Sequence, residues 1–399
     1  MPVSYPSRLS RHAQQLLSLT DGLIQSGCTL EDNWWETQLT SQLDKTLAGR
    51  HNRTVENVLE VLASHNPQGH DLFIEKAENA SETHSFEHEG QAYDALLISA
   101  PIILWTRYQL PSNELTDVQH QVLCQALADL VAAPHARVSM LPVMLNIDTL
   151  PQTFFDTRSL TRQLAMAALT GEHVSFADDQ PVDNDGILAD TRFLVGVIVV
   201  PRGKTVFRWQ MPPAKGSYRR HQAQQGWESA AREVLTAMFT GCQAQYLCPD
   251  AYYTNNREAD HHIRPVVLLA AVTWLQTAAH VPSKDLRAVI VGCGTDTLQE
   301  YRVGFNIRGN DDVVYGCIWP LLNKDEALVE ALDNFGPTIP DEITAVLKEA
   351  GVSEVRRMPG LMECDICDGC GAPYFPDLTG DLQHPELPDE TDTDPIVLH

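Results

Sequence analysis

Apolar residues recur at helical spacing through the first part of the chain. Leu16, Leu17, Leu23 and Ile24 form one set, and Val58, Leu59, Val61 and Leu62 form another. A period near 3.6 predicts amphipathic helices, so residues 1–82 read as a helical N-terminal region. Thr29-Leu30-Glu31-Asp32 resembles a capped start for the helix that carries Trp34 and Trp35. Adjacent side chains on a helix point about 100° apart, so one Trp is expected in the core and the other half-exposed or at an interface.

The pattern changes at Ser85. Ser85-Phe86-Glu87, a turn over His88-Glu89-Gly90-Gln91 and the apolar run 93–100 predict a hairpin, and a second strand over 102–108 is expected after Pro101. A helix over about 113–132, a strand over 136–144 and a helix over about 156–169 follow. The same order recurs downstream: a strand over 192–200 ending at Pro201, Trp209 answering Trp105, a helix over about 227–239, a strand ending near Cys248-Pro249 and a helix over about 260–277. Such a long period implies two packed pseudo-equivalent units and not a solenoid of short repeats. Strands at 288–291, 301–307 and 313–319 and a helix over 340–349 complete the pattern.

The expected fold class is α+β. A helical N-terminal region (1–82) precedes two tandem β-β-α-β-α units (83–170 and 191–280) joined by an acidic linker (171–190). A strand-rich segment with a C-terminal helix (281–362), a zinc knuckle (363–384) and a disordered acidic tail (385–399) follow.

Composition narrows the function classes. The chain has 399 residues, 43% of them hydrophobic, which is ample for a large core. Asp and Glu number 53 against 28 Lys and Arg, a formal charge of −25. Affinity for nucleic-acid phosphate or an anionic membrane comes from clustered Lys and Arg, so neither partner is expected. No apolar run reaches membrane-spanning length, and the N-terminus lacks the apolar core of a secretory signal. Nine cysteines without such a signal point to reduced thiols in the cytoplasm. Six of them, scattered in apolar surroundings, are expected as small buried hydrophobes.

The chemistry concentrates in two places. Cys364, Cys367 and Cys370 stand in Glu-Cys-Asp-Ile-Cys-Asp-Gly-Cys-Gly-Ala-Pro. Two thiolates separated by two residues chelate one tetrahedral ion, and the following glycine lets backbone N–H groups turn toward sulfur. Zinc needs four donors; Cys364 and His384 are the nearest candidates for the other two, with Cys293 or Cys317 as remote ones. Unmetallated thiols and a redox pair are the alternatives. The second place is the stretch 249–265, dense in titrating groups. Asp260, His261 and His262 are candidate acid–base residues there, and Tyr252, Tyr253, Arg257 and Arg264 candidate substrate contacts. The competing reading is a capped helix start with Asp260 as N-cap. Asp183-Asn184-Asp185-Gly186 lacks the acids of a calcium loop, and Val289-Ile290-Val291-Gly292-Cys293-Gly294 lacks the third glycine of a dinucleotide turn, so it reads as a hairpin.

SFEHEGQAYDALLISAPIILWTRY (85–108), PDAYYTNNREADHHIRP (249–265), EYRVGFNIRG (300–309) with IWPL (318–321), and CDGCGAPYFPD (367–377) together resemble an uncharacterised bacterial family catalogued as a domain of unknown function (DUF2863). The resemblance brings no activity or substrate with it. The leading expectation is a zinc-stabilised scaffold or regulatory protein acting through a protein partner or self-association. The alternative is a hydrolase or transferase that uses the 249–265 cluster on an anionic small molecule. A third reading makes the zinc catalytic, with Cys367, Cys370 and His384 as ligands and one position open.

Overall fold

The computed structural model describes residues 9–49, 53–106, 108, 113–172, 174, 189–211, 218–295, 297–323, 326, 338–389 and 391. Four helices come first: α1 (Arg11–Gln25), α2 (Thr29–Ala48), α3 (Thr54–His65) and α4 (Pro67–Glu82). The Ser10 side chain accepts from the Ala13 N–H, and Asn66 accepts from the Gly69 N–H, so α1 and α4 each begin with a donor satisfied. Leu16, Leu17, Leu39, Leu43, Val58, Leu62 and Phe73 close a core of their own. Trp35 packs over Gly22, while Trp34 is 55% exposed, as adjacent positions on one helix require.

The middle of the chain forms one six-stranded sheet. Its strands are β1 (Thr83–His88), β2 (Gln91–Trp105), β3 (Arg137–Met140), β4 (Ala189–Pro201), β5 (Gln243–Tyr246) and β6 (Asp250–Ala251). β2 and β4 form the centre, antiparallel from Tyr93↔Pro201 to Trp105↔Ala189. β3 pairs with β4, whereas β1, β6 and β5 pair in turn along the other edge of β2. α5 (Asp117–Ala126) and α7 (Arg220–Leu235) cover one face; Leu123, Trp227 and Leu235 meet Ile98, Ile102 and Ile198 there. α6 (Phe154–Thr170) and the N-terminal half of α8 (Tyr252–Thr277) cover the other, where Leu160, Leu164 and Tyr252 meet Leu97, Val195 and Val197. Burial on both faces is why β2 and β4 read as near-continuous apolar runs, without the alternation of a half-exposed strand.

Several local expectations differ from this structure. The strands expected on either side of Pro101 are one strand. The Pro101 carbonyl accepts from the Leu247 N–H, at the point where the edge of β2 passes from β6 to β5. The missing proline N–H faces that handover, so the ladder loses nothing. The helix expected from Asp260 begins eight residues earlier, and Asp260 is interior to it and not an N-cap. Of the six scattered cysteines expected to be buried, Cys293 and Cys317 are, Cys124, Cys242 and Cys248 are half-buried, and Cys28 is exposed. Most of the acidic linker, 173 and 175–188, lies outside the described residues, as do 390 and 392–399 of the expected disordered tail. At its start, the Glu386 N–H donates to Val313 O at 2.8 Å.

The last third builds a second sheet in the order β10 (Glu354–Met362), β7 (Leu286–Cys293), β8 (Glu300–Ile307), β9 (Val313–Pro320). β10 runs parallel to β7, and α9 (Ile339–Glu349) precedes it. The C-terminal half of α8 lies under this sheet with α9: Leu268, Val272 and Leu275 join Ile290, Phe305, Trp319, Ile343 and Leu347. α8 thus spans both sheets. Pro265 stands at the handover, between Ile263, packed with the first sheet, and Leu268, packed with the second. No described helix is long and apolar enough to cross a membrane.

Candidate metal centre

The outer face of the second sheet carries a notch. Gly304 and Gly316 pair directly across β8 and β9. A Cβ at Gly304 would overlap the Pro376 carbonyl, and one at Gly316 would overlap the Phe375 ring. Only hydrogen at both positions lets Phe375 and Pro376 lie flat on the strands. Phe375–Pro376 (β11) pairs antiparallel with Leu382–Gln383 (β12). Asp377 holds the turn between them. One of its carboxylate oxygens accepts from the N–H groups of Thr379, Gly380 and Asp381, and the other from Gln383 Nε2 at 2.5 Å.

Arg302 anchors the same segment from β8. The residue is 2% exposed; Nη1 donates to the carbonyls of Asp365 (2.5 Å) and Tyr374 (2.8 Å), and Nε pairs with Glu300 at 2.8 Å. A buried guanidinium whose donors are filled by carbonyls and a carboxylate fixes two backbone points at once. Between those points runs the knuckle turn. The Cys367 N–H donates to Ala372 O and the Gly371 N–H to Cys367 O, each at 2.8 Å, and Gly371 takes a φ of 74°.

This scaffolding places His384, just past β12, against the turn. Cys370 Sγ and His384 Nε2 are 3.1 Å apart, and the donor atoms of Cys367, Cys370 and His384 all lie within 4.8 Å of one another. Donors around a tetrahedral ion at zinc–sulfur and zinc–nitrogen bond lengths lie about 3.5–4 Å apart, so the Cys370–His384 pair must open slightly and the group as a whole is close enough to hold a metal ion. Backbone N–H groups of Cys370 and then Gly369, with the Cys370 and Tyr374 side chains, hold the Cys367 thiol below its ordinary pKa. That favours the thiolate a metal needs. The bond to Cys367 in turn raises the Tyr374 phenol.

Cys364 is not brought into this group, against the expectation that it supplies a ligand. It lies upstream of the turn, beyond the end of β10, with Sγ 3.8 Å from Gln299 Oε1; burial raises its thiol. Cys293 and Cys317 are buried in the sheet, where burial raises their thiols, and neither is among the donors that cluster with Cys367, Cys370 and His384.

The candidate residues of 249–265 do not converge as one group. Arg264 is buried: Nη1 donates to Pro320 O, its guanidinium pairs with Glu326 at 3.0 Å and stacks 5.0 Å over Trp319, and Nη2 donates to His261 Nδ1. Arg257 pairs with Glu78 at 2.7 Å, and His262 sits between Glu258 and Gln245. Tyr252 is buried in the core, Tyr253 bonds to Thr157 Oγ1, and burial raises both phenols. Burial also raises the Asp260 carboxyl. His261 and Arg264 meet at Glu326, while the other side chains leave the helix toward separate neighbours. The start of α8 takes its cap from elsewhere: Glu82, at the end of α4, accepts from the Tyr253 N–H at 3.0 Å. Burial pushes that carboxyl up to about 7.

Arg302, Asp377, Tyr374 and the paired glycines were not read from sequence as part of the centre. The one visible signal was Arg302 itself, a charge inside the apolar run Tyr301–Phe305. No curated protein and no solved structure matches the chain. A family model described as "Protein of unknown function (DUF2863)" matches residues 3–398, nearly the whole chain, and the protein belongs to that family.

Proposed function

We propose that the protein is a cytoplasmic scaffold or regulatory protein, fastened at its C-terminus by zinc, that acts by binding a protein partner or a second copy of itself. The observation that carries this reading is the convergence of Cys367, Cys370 and His384 on a hairpin locked to the second sheet. Two sulfurs and one imidazole suit zinc, whose filled d shell accepts tetrahedral sulfur and nitrogen ligands without redox chemistry. The metal joins the turn to the strand end 14 residues later, and such a link stabilises a small module with little core of its own.

The 249–265 cluster lends weight to the scaffold over the enzyme. Arg257 and Arg264, cast as anchors for an anionic substrate, are already paired with Glu78 and Glu326. The exchange of short strands between β2 and β4, with β3 on β4 and β5 on β2, supports reading 83–170 and 191–280 as a duplicated unit. The formal charge of −25 argues against nucleic acid as the partner.

Elemental analysis of reduced, untagged protein beside a Cys367→Ser variant tests the fastening. One zinc per chain is expected, lost in the variant together with stability. Metal-free reduced protein sinks the zinc reading and makes redox chemistry of the thiols the next hypothesis.

A further inference from the structure

Resting on the zinc reading above, we propose that the ion at Cys367, Cys370 and His384 keeps its fourth position for an imidazole nitrogen from outside this cluster. Three protein donors leave a tetrahedral ion one ligand short. Among the described residues, the group within mutual reach is those three. Cys370 and His384 are exposed, so the ion's outer side faces solvent. On the sheet side, Tyr374 lies against Cys367 and its carbonyl is tied to Arg302.

Charge selects the donor. A zinc ion with two thiolates and a neutral imidazole has no net charge, and an anionic fourth ligand makes it negative. The neighbouring chain opposes that: from Met358 to Asp389 it has seven acidic residues and no Lys or Arg, and Glu363, Asp365 and Asp368 flank the cysteines themselves. A neutral nitrogen donor escapes this repulsion. Sulfur-rich zinc also favours imidazole over a carboxylate oxygen. The imidazole comes either from a small molecule or from a histidine of a second copy, since the chain carries 15 histidines.

The test loads the full chain with cobalt(II), whose visible bands report the ligand set. Added imidazole is expected to shift the bands to saturation. Acetate at equal concentration should bind at least roughly fivefold more weakly, the factor one nearby like charge supplies in water. Failure to take up cobalt overturns the metal centre itself. Uptake with bands that ignore imidazole overturns only the open position, because a donor of the chain then fills it; loss of those bands in Cys364→Ser would identify that donor as Cys364. Sedimentation of the zinc-loaded protein separates the sources. A zinc-dependent dimer that imidazole dissociates assigns the donor to a second copy, and a monomer whose cobalt bands still respond assigns it to a small molecule.

Discussion

The start of α8 and the C-terminal hairpin make opposite use of reactive residues. Residues 249–265 crowd histidines, arginines, tyrosines and acids into one short stretch, yet the helix distributes them over its circumference. Each finds a structural partner: Glu78 for Arg257, Glu326 and Trp319 for Arg264, Thr157 for Tyr253. The C-terminal segment holds fewer such groups over a similar length, yet its turn and hairpin bring Cys367, Cys370 and His384 to within 4.8 Å of one another. Density along the chain is therefore a poor guide to a site. A helix rotates successive residues apart, whereas a turn and a hairpin fold distant ones together.

The largest effect should come from the anchor of the hairpin. Arg302→Met leaves Glu300 and two carbonyls without their buried donor, and such a loss costs about 3–5 kcal/mol. Denaturant unfolding with metal analysis should show lower stability and lost metal together; an unchanged midpoint would break the claim that sheet and metal centre are one unit. The start of α8 has its own strong element in Glu82. Its carboxyl sits near 7 in the fold against an ordinary value of 4.5, so the folded state binds more protons between those values. Stability should fall as pH rises from about 4.5 to about 7, by on the order of 3 kcal/mol. Glu82→Gln keeps an acceptor for the Tyr253 N–H and should flatten that slope in pH-dependent melts.

Smaller changes sharpen the contrast. Gly316→Val drives side-chain atoms into the Phe375 ring, at a cost of about 1–3 kcal/mol. It should loosen metal binding in a chelator competition while leaving the first sheet intact. His261→Ala with His262→Ala should change stability by within about 0.5 kcal/mol each, because both histidines are half-exposed and Arg264 retains Glu326. Retained partner binding in that double variant fits a scaffold; loss of a turnover with the fold intact would return the cluster to catalysis.

Much of the architecture was legible in the chain. The helical spacing around Leu16 and Val58, the apolar runs of β2 and β4, and the strands around Val289, Val303 and Cys317 all appear as elements near their expected places. Cys367 and Cys370 were visible through their spacing and the glycine after them, and His384 through proximity in sequence. Pro101 misled because a proline normally ends a strand; only the switch of neighbour from β6 to β5 makes its missing N–H harmless. Cys364 misled for a similar reason. Two residues separate it from Cys367, as two separate Cys367 from Cys370, but the turn that aims sulfur atoms inward begins at Cys367.

By itself, then, the sequence determined what depends on neighbours along the chain: helix and strand periods and the spacing of the two-thiol turn. Tertiary structure decided the rest. It paired β2 with β4, ran α8 under both sheets, removed Cys364 from the centre and spent the α8 side chains on packing. It also put Gly304 opposite Gly316, which only a sheet register can do, and so made room for Phe375 and Pro376. Local pattern follows from backbone geometry within a few residues, but a site is a meeting of distant ones, and that is set by which surfaces bury one another.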